Sequence, residues 1–333
     1  PNRGLFQFRR MPFGLHNAPA TWQRLIDRVL GPKLEPYVFV YLDDVVIITD
    51  TFEKHLEVLE EVFKRLREAN LTVNRAKCQF CKAEMKYLGY VVDRNGLHVD
   101  PDKVRAMLEL PAPRNVTETR RVVGTFSWYR RFVPEFSTVI APITRLLMKS
   151  RKFEWTSECE DAFQRIKQCL IEAPVLSCPD YSLPFVVETD ASGYGIGAVL
   201  TQPHPDGERV ICFLSRSLSR QERNYSVIER ELLSVLHAVE KLRPYLEGVH
   251  FSVVTDHYSL KWLHNLKDPT GRLARWAVRL QQYDFTVIHR KGKDHIVPDT
   301  LSRAVPIVEA LGNAVSTPHK TISDKWYLKM VND

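Results

Sequence analysis

Apolar and polar positions follow different periods along the first part of the chain. Residues 18–30 and 52–69 repeat apolar side chains at helical spacing, and Asn17 stands where it would cap the first of these helices. The runs "YVFVYL" and "VVIIT" are short and rich in β-branched and aromatic residues, so they predict two strands of a hairpin around Asp43–Asp44. A further hairpin is predicted in "MKYLGYVVDRNGLHV", with Asn95–Gly96 at its turn.

Helical periods dominate the middle of the chain, and strands return towards its end. From residue 100 to about 174 the helical pattern is broken only by "LPAPRN" and "FVPEF". The segments "PFVVETDAS", "GIGAVLTQ" and "RVICFLSRSL" then predict three strands, followed by a helix over about 224–243. The strand "HFSVVTD", basic helical stretches and the strand "DFTVIHRKG" complete the pattern. This order of elements predicts an α/β unit with a mixed sheet.

The changes of period divide the 333 residues into several regions. We expect helices and short strands over 1–99, a helical region over 100–176, an α/β region over 177–303 and a linker tail over 304–333. The predicted fold class is therefore multidomain, with α+β and α/β parts.

Composition and charge limit the kinds of partner that the chain is expected to bind. The chain is 44% hydrophobic and 26% charged, as is usual for globular proteins, and its net charge of +7 favours polyanionic partners. No apolar run approaches the roughly 18 residues of a membrane span, and no signal-peptide pattern opens the sequence, so no membrane partner is expected. Cys78 and Cys81 form a C-x-x-C without a second pair, which indicates reduced thiols in a reducing compartment.

Two adjacent acids, Asp43 and Asp44, lie between two apolar runs. Burying a carboxylate is costly unless a partner compensates its charge. Asp is common in turns, yet Asp-Asp is not a preferred pair for a two-residue hairpin turn. The residues themselves leave two interpretations open: a plain hairpin turn, or carboxylates that hold divalent cations for phosphoryl transfer.

A second group of acids lies in the α/β region. Asp190 and Asp256 each follow a hydrophobic strand, and Asp299 lies in "HIVPDTLSR". On the long helix, Glu231 lies about 60° from Ile228 of the apolar stripe at 100° per residue, whereas Glu229 lies about 100° from Ile228, nearer solvent. The acids are either four unrelated surface residues or a set converging at one sheet edge, where their repulsion requires cations.

Two stretches interleave basic and aromatic residues. They are "ETRRVVGTFSWYRRFVPEF", with Arg130 and Arg131, and "GRLARWAVRLQQYDF", with Arg275. Arginine binds phosphate and aromatic rings pack against sugars or bases, so both stretches are candidate nucleic-acid contacts. Solvated helix faces with core aromatics are the alternative.

The motifs in their order resemble a known family. "MPFGLHNAPATWQRLID" followed by "YVFVYLDDVVI" resembles the palm of a reverse transcriptase, and "LTVNRAKCQF" and "KYLGYVVDRNGLHVDPDKV" resemble its later palm and primer-grip motifs. The resemblance is to the Pol polyprotein of gypsy-type LTR retrotransposons, from Arg10 to Arg303. It implies polymerase carboxylates at Asp43–Asp44 and a nucleotide and template pocket lined by Phe13, Gly14 and Gln23. It implies that Leu88, Gly89 and Tyr90 hold the primer, and that Arg130 and Arg131 contact the duplex from the thumb.

In the α/β region the resemblance is to ribonuclease H. It implies metal binding by Asp190, Glu231, Asp256 and Asp299, and a role in product release for His289, which lies ten residues before the last Asp. His295 replaces a family Asn between them. Each active site is expected to hold two Mg²⁺ ions, with Mn²⁺ as an alternative. The expected partners are RNA–DNA hybrid, primer-template, dNTPs at a completed polymerase site, and other Pol and Gag products.

The expected function is hydrolysis of RNA in RNA–DNA hybrids, by a region over about 177–303 that should act on its own. The parent polyprotein is expected to polymerise DNA as well. The family's further metal-binding Asp and its fingers precede the motifs present here, so negligible DNA synthesis is expected from this chain. Alternatives are a decayed or co-opted nucleic-acid-binding module and an integrase-type nuclease, although the helix Glu and final Asp favour ribonuclease H. The expected location is a cytoplasmic virus-like particle, with the nucleus as alternative.

Overall fold

The computed structural model describes residues 7–12, 14–149, 151–256 and 271–290. Phe13, His295 and Asp299, which the sequence singled out, lie outside these ranges. The chain divides into two compact units, Pro1–Lys82 and Ala83–Asp333. None of the helices in the described ranges is long and apolar enough to cross a membrane.

Two helices and one hairpin make up the first unit. Its elements are α1 (Ala18–Leu30), β1 (Val38–Tyr41), β2 (Asp44–Ile47) and α2 (Phe52–Glu68). They share a small core: Ile26, Leu30, Leu34, Val38, Val58, Val62 and Leu66. The apolar stripes that predicted the two helices are therefore the faces that pack together.

The two helices of this unit begin differently. The Thr51 side chain accepts from the Lys54 N–H at 3.2 Å and caps α2. Asn17 makes no capping bond to α1, so its predicted role is wrong. The backbone of Asn17 has φ −91° and ψ 4°, not the extended conformation that a side-chain cap requires.

The second unit opens with a three-stranded antiparallel sheet. Its strands are β3 (Glu84–Tyr87), β4 (Tyr90–Asp93) and β5 (Gly96–Val99), in that order across the sheet. The segment thus forms two hairpins where the sequence predicted one. In the second hairpin Gly96 belongs to β5, and the Asp93 carboxylate accepts from the N–H groups of Asn95 (2.7 Å) and Gly96 (3.0 Å). These bonds are typical of Asp at the start of a turn.

Helices follow, as the sequence predicted. They are α3 (Pro101–Leu108), α4 (Val116–Trp128), α5 (Phe136–Val139), α6 (Ala141–Arg145) and α7 (Ser157–Ile171). The side chains of Asp100, Asn115 and Thr156 cap α3, α4 and α7. Large side chains without solvent exposure or nearly so fill their core, among them Phe126, Phe132, Ile143, Phe163 and Ile166.

A five-stranded mixed sheet with its helices follows in the described part of the second unit. Its elements are β6 (Phe185–Ala191), β7 (Gly195–His204), β8 (Gly207–Ser217), α8 (Val227–Lys241), α9 (Arg243–Leu246), β9 (Phe251–Thr255), α10 (Gly271–Leu280) and β10 (Phe285–His289). The strand order is β10-β9-β6-β7-β8. Strand β9 pairs parallel with β6 and β10, whereas the other pairs are antiparallel. The predicted order of elements and the mixed sheet are confirmed.

The two faces of this sheet have different neighbours. Val187 and Leu200 pack in one core with Leu232 and Val239 of α8. Val199 and Phe213 instead belong to the core of the preceding helices. The helical region and the sheet therefore share apolar side chains within the second unit.

The turn between β3 and β4 has a conformation that suits few residues. Leu88 and Gly89 have φ of +50° and +81°, which is typical of a two-residue type I′ hairpin turn. The Tyr129 hydroxyl donates to the Gly89 carbonyl at 2.6 Å. A Cβ added to Gly89 would lie 3.3 Å from Nε1 of Trp128. Both the backbone and the packing therefore require glycine at this position.

We predict that Gly89→Ala lowers the free energy of unfolding by about 1–2 kcal/mol, because alanine is strained at this φ and crowds Trp128. Urea unfolding of the full chain measures the change. Gly124→Ala is the matched control, since Gly124 lies within α4 and a Cβ there would meet no atom within 4 Å. The control should be neutral or stabilising, by up to about 1 kcal/mol. Equal effects of the two substitutions would contradict the interpretation of the turn.

Candidate active sites and nucleic-acid contacts

Two parallel strands bring Asp190 and Asp256 to one edge of the five-stranded sheet. Glu188 of β6 is in register with Val254 of β9. Asp190 and Asp256 stand two residues further along these strands, and both are exposed. The register therefore places the two carboxylates side by side at the carboxyl ends of the strands.

Glu231 reaches the same edge from α8 and is only 4% exposed. Ser234 lies one turn later on the same helix face and donates from Oγ to the carbonyls of Asp190 (3.0 Å) and Gly197 (3.1 Å). The N–H of Ala191 donates to the Glu231 carboxylate. These bonds hold α8 against β6 and keep Glu231 beside Asp190.

The surroundings of Glu231 favour its neutral form. Burial raises the pKa of Glu231 to about 8, and the charges of Asp256 and Asp190 add to the rise. Its Oε2 atom is buried and has no hydrogen-bond partner among the described residues. A buried carboxylate oxygen without a donor, close to two further carboxylates, fits a site for divalent cations, which prefer oxygen ligands.

Three of the four predicted acids therefore converge. Asp299 lies outside the described residues. Within the described ranges, no group of three or more His, Cys, Asp or Glu side chains is arranged to hold a metal ion by itself. The complete ligand set stays a prediction, and Asp190, Glu231 and Asp256 are the described residues that would contribute to it.

His289 lies next to the same edge, at the end of β10. It is in register with Thr255, and its Nε2–H donates to the Asp256 carbonyl at 3.0 Å. The next residue, Arg290, forms an ion pair with Glu188, with 2.7 Å between Nη1 and Oε1. Because β9 lies between β6 and β10, this ion pair crosses β9 and joins the strands that carry Asp190 and His289. The role of His289 in product release stays a prediction.

The acids of the first unit lie at the β1–β2 turn. Tyr41 pairs with Asp44, so the two-residue loop consists of Leu42 and Asp43. The sequence predicted strands on either side of both acids, whereas Asp44 is the first residue of β2. Leu42 adopts a φ of +51°, which lets the loop close without an Asp-Asp pair at its centre. Both acids are exposed, so water solvates their charges.

Two side chains of α1 support this turn. Gln23 accepts at Oε1 from the Leu42 N–H at 2.7 Å and donates from Nε2 to the Val40 carbonyl at 3.3 Å. Trp22 donates from Nε1 to the Leu42 carbonyl at 3.0 Å. The predicted place of Gln23 in a nucleotide pocket is untested, and the contacts of its amide give it a supporting role for the turn.

The predicted primer-holding residues Leu88, Gly89 and Tyr90 pack against the end of α4. The Tyr90 ring stacks on Trp128, with 6.1 Å between centroids, and its hydroxyl donates to the Trp128 carbonyl at 3.0 Å. Trp128 is nevertheless 55% exposed. The turn is thus fixed in position beside an exposed indole, a surface on which a base or sugar can pack.

Arg130 and Arg131, predicted to contact phosphate, bond within the chain. Arg130 donates from Nη2 to the Ser215 carbonyl, and Arg131 donates from Nη2 to the Tyr245 hydroxyl at 3.2 Å. Their partners lie 85 and 114 positions later, so no local pattern revealed them. Both arginines join the helical region to the sheet region, and their contact with a duplex stays a prediction.

The remaining predicted contact residues differ in position. Arg275 is exposed on α10, and Gly14 is exposed ahead of α1 with a φ of +84°. Phe13 lies outside the described residues. Arg275 and Gly14 are therefore accessible to a ligand, and their contact with nucleic acid stays a prediction.

Glu229, which the helical wheel placed nearer solvent, has partners of its own. It forms a capping box with Ser226, and its Oε1 accepts from Nη1 of Arg272 at 2.9 Å. The Arg272 guanidinium lies 3.9 Å from the centroid of the Tyr225 ring. We therefore expect a substitution of Glu229 to weaken the start of α8 and its contact with Arg272. The S-x-x-E spacing of Ser226 and Glu229 is a sequence signal for a capping box. The contact with Arg272 has no such local signal, because it forms only in the folded chain.

Two family profiles match the chain. That of the reverse transcriptase (RNA-dependent DNA polymerase) matches residues 1–92, and that of the RNase H-like domain found in reverse transcriptase matches residues 180–283. The first range includes Asp43 and Asp44, and the second includes Asp190, Glu231 and Asp256.

Retrotransposon polyproteins are among its relatives. The retrovirus-related Pol polyprotein from transposon 297 of Drosophila melanogaster is 40% identical over 324 residues, which cover 96% of this chain and 30% of the relative. The Pol polyprotein from transposon 412 of the same organism is 38% identical, with coverage of 91% and 24%. The transposon Tf2-3 polyprotein of Schizosaccharomyces pombe is 34% identical, with coverage of 93% and 24%. The chain thus spans at most 30% of the length of each of these relatives.

Solved structures of a foamy viral protease-reverse transcriptase share the fold. The complex with dsDNA has a TM-score of 0.73 and 26% identity, covering 85% of this chain and 60% of that chain. The complex with RNA/DNA hybrid has a TM-score of 0.74 and 25% identity, covering 94% and 41%. Fold and profiles together define a reverse transcriptase domain followed by an RNase H-like domain. The chain belongs to the Pol polyproteins of LTR retrotransposons, as its motifs predicted.

We predict that Gln23→Met loosens the β1–β2 turn, because the Leu42 N–H loses its acceptor. Hydrogen exchange at the Leu42 amide should accelerate about tenfold, matching roughly 1–1.5 kcal/mol for one hydrogen bond. Arg24→Met is the control on the same helix, since Arg24 is exposed and bonds only to the Thr21 hydroxyl among the described residues. Unchanged exchange at Leu42 in the Gln23 variant would refute the supporting role.

We predict that Glu231→Gln stabilises the metal-free chain at high pH. The folded pKa of about 8 exceeds the ordinary value of 4.5. The stability contributed by this group is therefore complete below about pH 4.5 and is lost as pH rises through about 8, at up to about 1.4 kcal/mol per pH unit. Glutamine stays neutral and avoids that loss. Urea unfolding in EDTA should give similar stabilities at pH 5 and a more stable variant at pH 9.

The matched control for this measurement is Glu247→Gln. Glu247 is exposed and pairs with Arg243 on the surface, which lowers the pKa of its carboxyl. It should therefore show no gain at pH 9. If the free energies of unfolding of wild type and Glu231→Gln change in parallel across this pH range, the raised pKa of Glu231 is contradicted.

Proposed function

We propose that this chain hydrolyses the RNA strand of RNA–DNA hybrids at the sheet edge formed by β6, β9 and α8. The observation that carries the proposal is the convergence of Asp190, Asp256 and the buried Glu231, whose Oε2 lacks a donor among the described residues. The match of residues 180–283 to the RNase H-like profile supports it. The related viral enzyme solved with an RNA/DNA hybrid supports the substrate class.

The residues have distinct tasks in this reaction. Asp190, Glu231, Asp256 and Asp299 would hold two Mg²⁺ or Mn²⁺ ions, which when bound activate water and stabilise the leaving oxygen. Asp190 is exposed near the end of β6, and we propose that its carboxylate would contribute to holding both ions. Glu231 is fixed by the Ala191 N–H and lies deeper. His289 donates a hydrogen bond to the Asp256 carbonyl and would assist release of the product.

The same chain is proposed to take part in RNA-directed DNA synthesis within its parent polyprotein. Asp43 and Asp44 are the proposed polymerase carboxylates, exposed on a turn that α1 holds in place. Primer-template and dNTPs are the corresponding partners. The match of residues 1–92 to the reverse transcriptase profile supports this part of the proposal. We further propose that the chain acts together with other Pol and Gag products in a cytoplasmic virus-like particle.

We predict that the full chain with Mg²⁺ cleaves a labelled RNA strand in a hybrid and spares DNA–DNA duplex. Asp190→Asn keeps the side-chain size but removes a charge at the centre of the acids, so cleavage should fall by roughly two orders of magnitude or more. Gel analysis of the products measures the rate, and circular dichroism checks that the fold is kept.

Asp206→Asn is the matched control for this substitution. Asp206 lies in the β7–β8 turn at the opposite end of these strands and pairs only with exposed Arg209 among the described side chains. It should cleave at the wild-type rate. Full cleavage by Asp190→Asn would place the active site elsewhere. Tight hybrid binding without cleavage by the wild type would instead support a binding module.

A further inference from the structure

Basic and aromatic side chains surround the turn that follows Asp190. This turn patch consists of the backbone of Ser192–Tyr194 with the side chains of Tyr194, Arg223 and Arg230. Tyr194 is 66% exposed, and the Arg223 guanidinium lies 5.6 Å from the centroid of its ring. Arg230 donates from Nη1 to the Ser192 carbonyl at 3.1 Å. The patch lies between the acid-bearing edge and the start of α8.

Arg230 keeps donors that the protein does not use. Its Nε–H is buried and meets no acceptor among the described residues. A Cβ on Gly193 would lie 3.3 Å from its Nη1, so glycine at this position lets the guanidinium approach the turn. A guanidinium has five N–H donors in a planar fork that matches phosphate oxygens.

Arg223 is positioned by the backbone next to this turn. Its Nε donates to the Leu218 carbonyl at 3.3 Å, and the Leu218 N–H donates to the Tyr194 carbonyl at 2.8 Å. Its side chain is exposed over the tyrosine ring. The loop holding Arg223 and the turn holding Tyr194 therefore form one surface.

Two surface acids near the patch already pair with other arginines. Glu222 accepts two bonds from Arg216, at 2.9 and 3.0 Å. Glu229 accepts from Arg272 at 2.9 Å. Neither carboxylate therefore pairs with Arg223 or Arg230. The other acids near the patch belong to the acid-bearing edge: the charge of Arg230 acts on Glu231, and Glu135 lines one cavity with Asp190 and Ser192. The two arginines supply the positive charge of the patch itself, which attracts anions.

We propose that the turn patch binds the phosphodiester backbone of the nucleic acid held at the catalytic edge. Arg230 and Arg223 contact phosphates, and the exposed Tyr194 ring packs against an adjoining sugar or base. Tyr194 is four residues from Asp190, at most about 14 Å along an extended chain. A nucleic-acid strand has one phosphate per roughly 3.4 Å of helix axis. The contacted phosphates therefore lie within about four nucleotides of the cleaved one.

This inference rests on the proposed function but is tested separately from cleavage. Binding of the full chain to a fluorescent RNA–DNA hybrid is measured in EDTA at several salt concentrations. Arg223→Gln and Arg230→Gln should each weaken binding by roughly one order of magnitude and reduce the slope of log K against log salt by about 1. Arg209→Gln is the control, because Arg209 lies at the far end of β8, pairs with Asp206, and should leave both values unchanged.

Hybrids in which selected phosphates are replaced by neutral methylphosphonate linkages show whether the patch contacts the RNA strand or the DNA strand. Such linkages within four nucleotides of the cleavage position, in the RNA or in the DNA strand, should weaken wild-type binding but not that of the two arginine variants. Wild-type affinity and slope in both variants would overturn the inference while leaving the proposed function intact. Failure of the wild-type chain to bind the hybrid at low salt would overturn both. If Arg230→Gln lowers the melting temperature of the protein, its weaker binding could result from loss of structure. The binding of the Arg223→Gln variant then tests the inference, because Arg223 is exposed.

Discussion

Repulsion among carboxylates is the constraint on which the sheet region of this protein depends. The parallel register of β6 and β9 sets Asp190 beside Asp256, and α8 adds Glu231 in a buried position. Burial of the Glu231 carboxyl, together with the charges of Asp256 and Asp190 beside it, raises its pKa, so the folded chain disfavours its ionised form. The sheet core offsets this cost, since Val187 and Val253 of the same two strands are fully buried. The chain thus loses some stability at the edge where the proposed phosphodiester chemistry would need negative charge.

Neighbouring polar contacts keep the strained edge in one geometry. Ser234 bonds to the Asp190 carbonyl, so α8 cannot slide along β6 without losing a buried hydrogen bond. The Arg290–Glu188 ion pair ties the end of β10 to β6, and Glu188 is 3% exposed. Loss of one partner of such a pair leaves an uncompensated charge, which is far more costly than the pair's own contribution. These polar contacts therefore fix the positions of the strands and the helix that carry the acids more than they add to the free energy of unfolding.

Sequence patterns predicted the order of elements because each depends on local periodicity. The helix over 18–30 and the mixed sheet were predicted correctly for that reason. Glu231 was distinguished from Glu229 by angle on a helical wheel, and the structure does bury Glu231, whereas the bond of Glu229 to Arg272 could not be predicted from the wheel. Long-range partners had no local signal: Arg131 contacts Tyr245, 114 positions away. The turn at Leu42 was missed because a positive φ at leucine is set by tertiary bonds from α1 rather than by its own preference.

The shared core bears on whether the ribonuclease H-like region can act alone. Val199 and Phe213 lie on its sheet but are buried against the preceding helices, at 6% and 5% exposure. A segment cut near residue 177 would expose both side chains, and would also remove the Arg130 bond to Ser215. Glu135, from the same helical region, lines one cavity with Asp190, and burial together with the charge of Asp190 raises its pKa. The expectation that residues 177–303 suffice follows from motif order, whereas the packing makes the helical region part of the structure that holds Asp190.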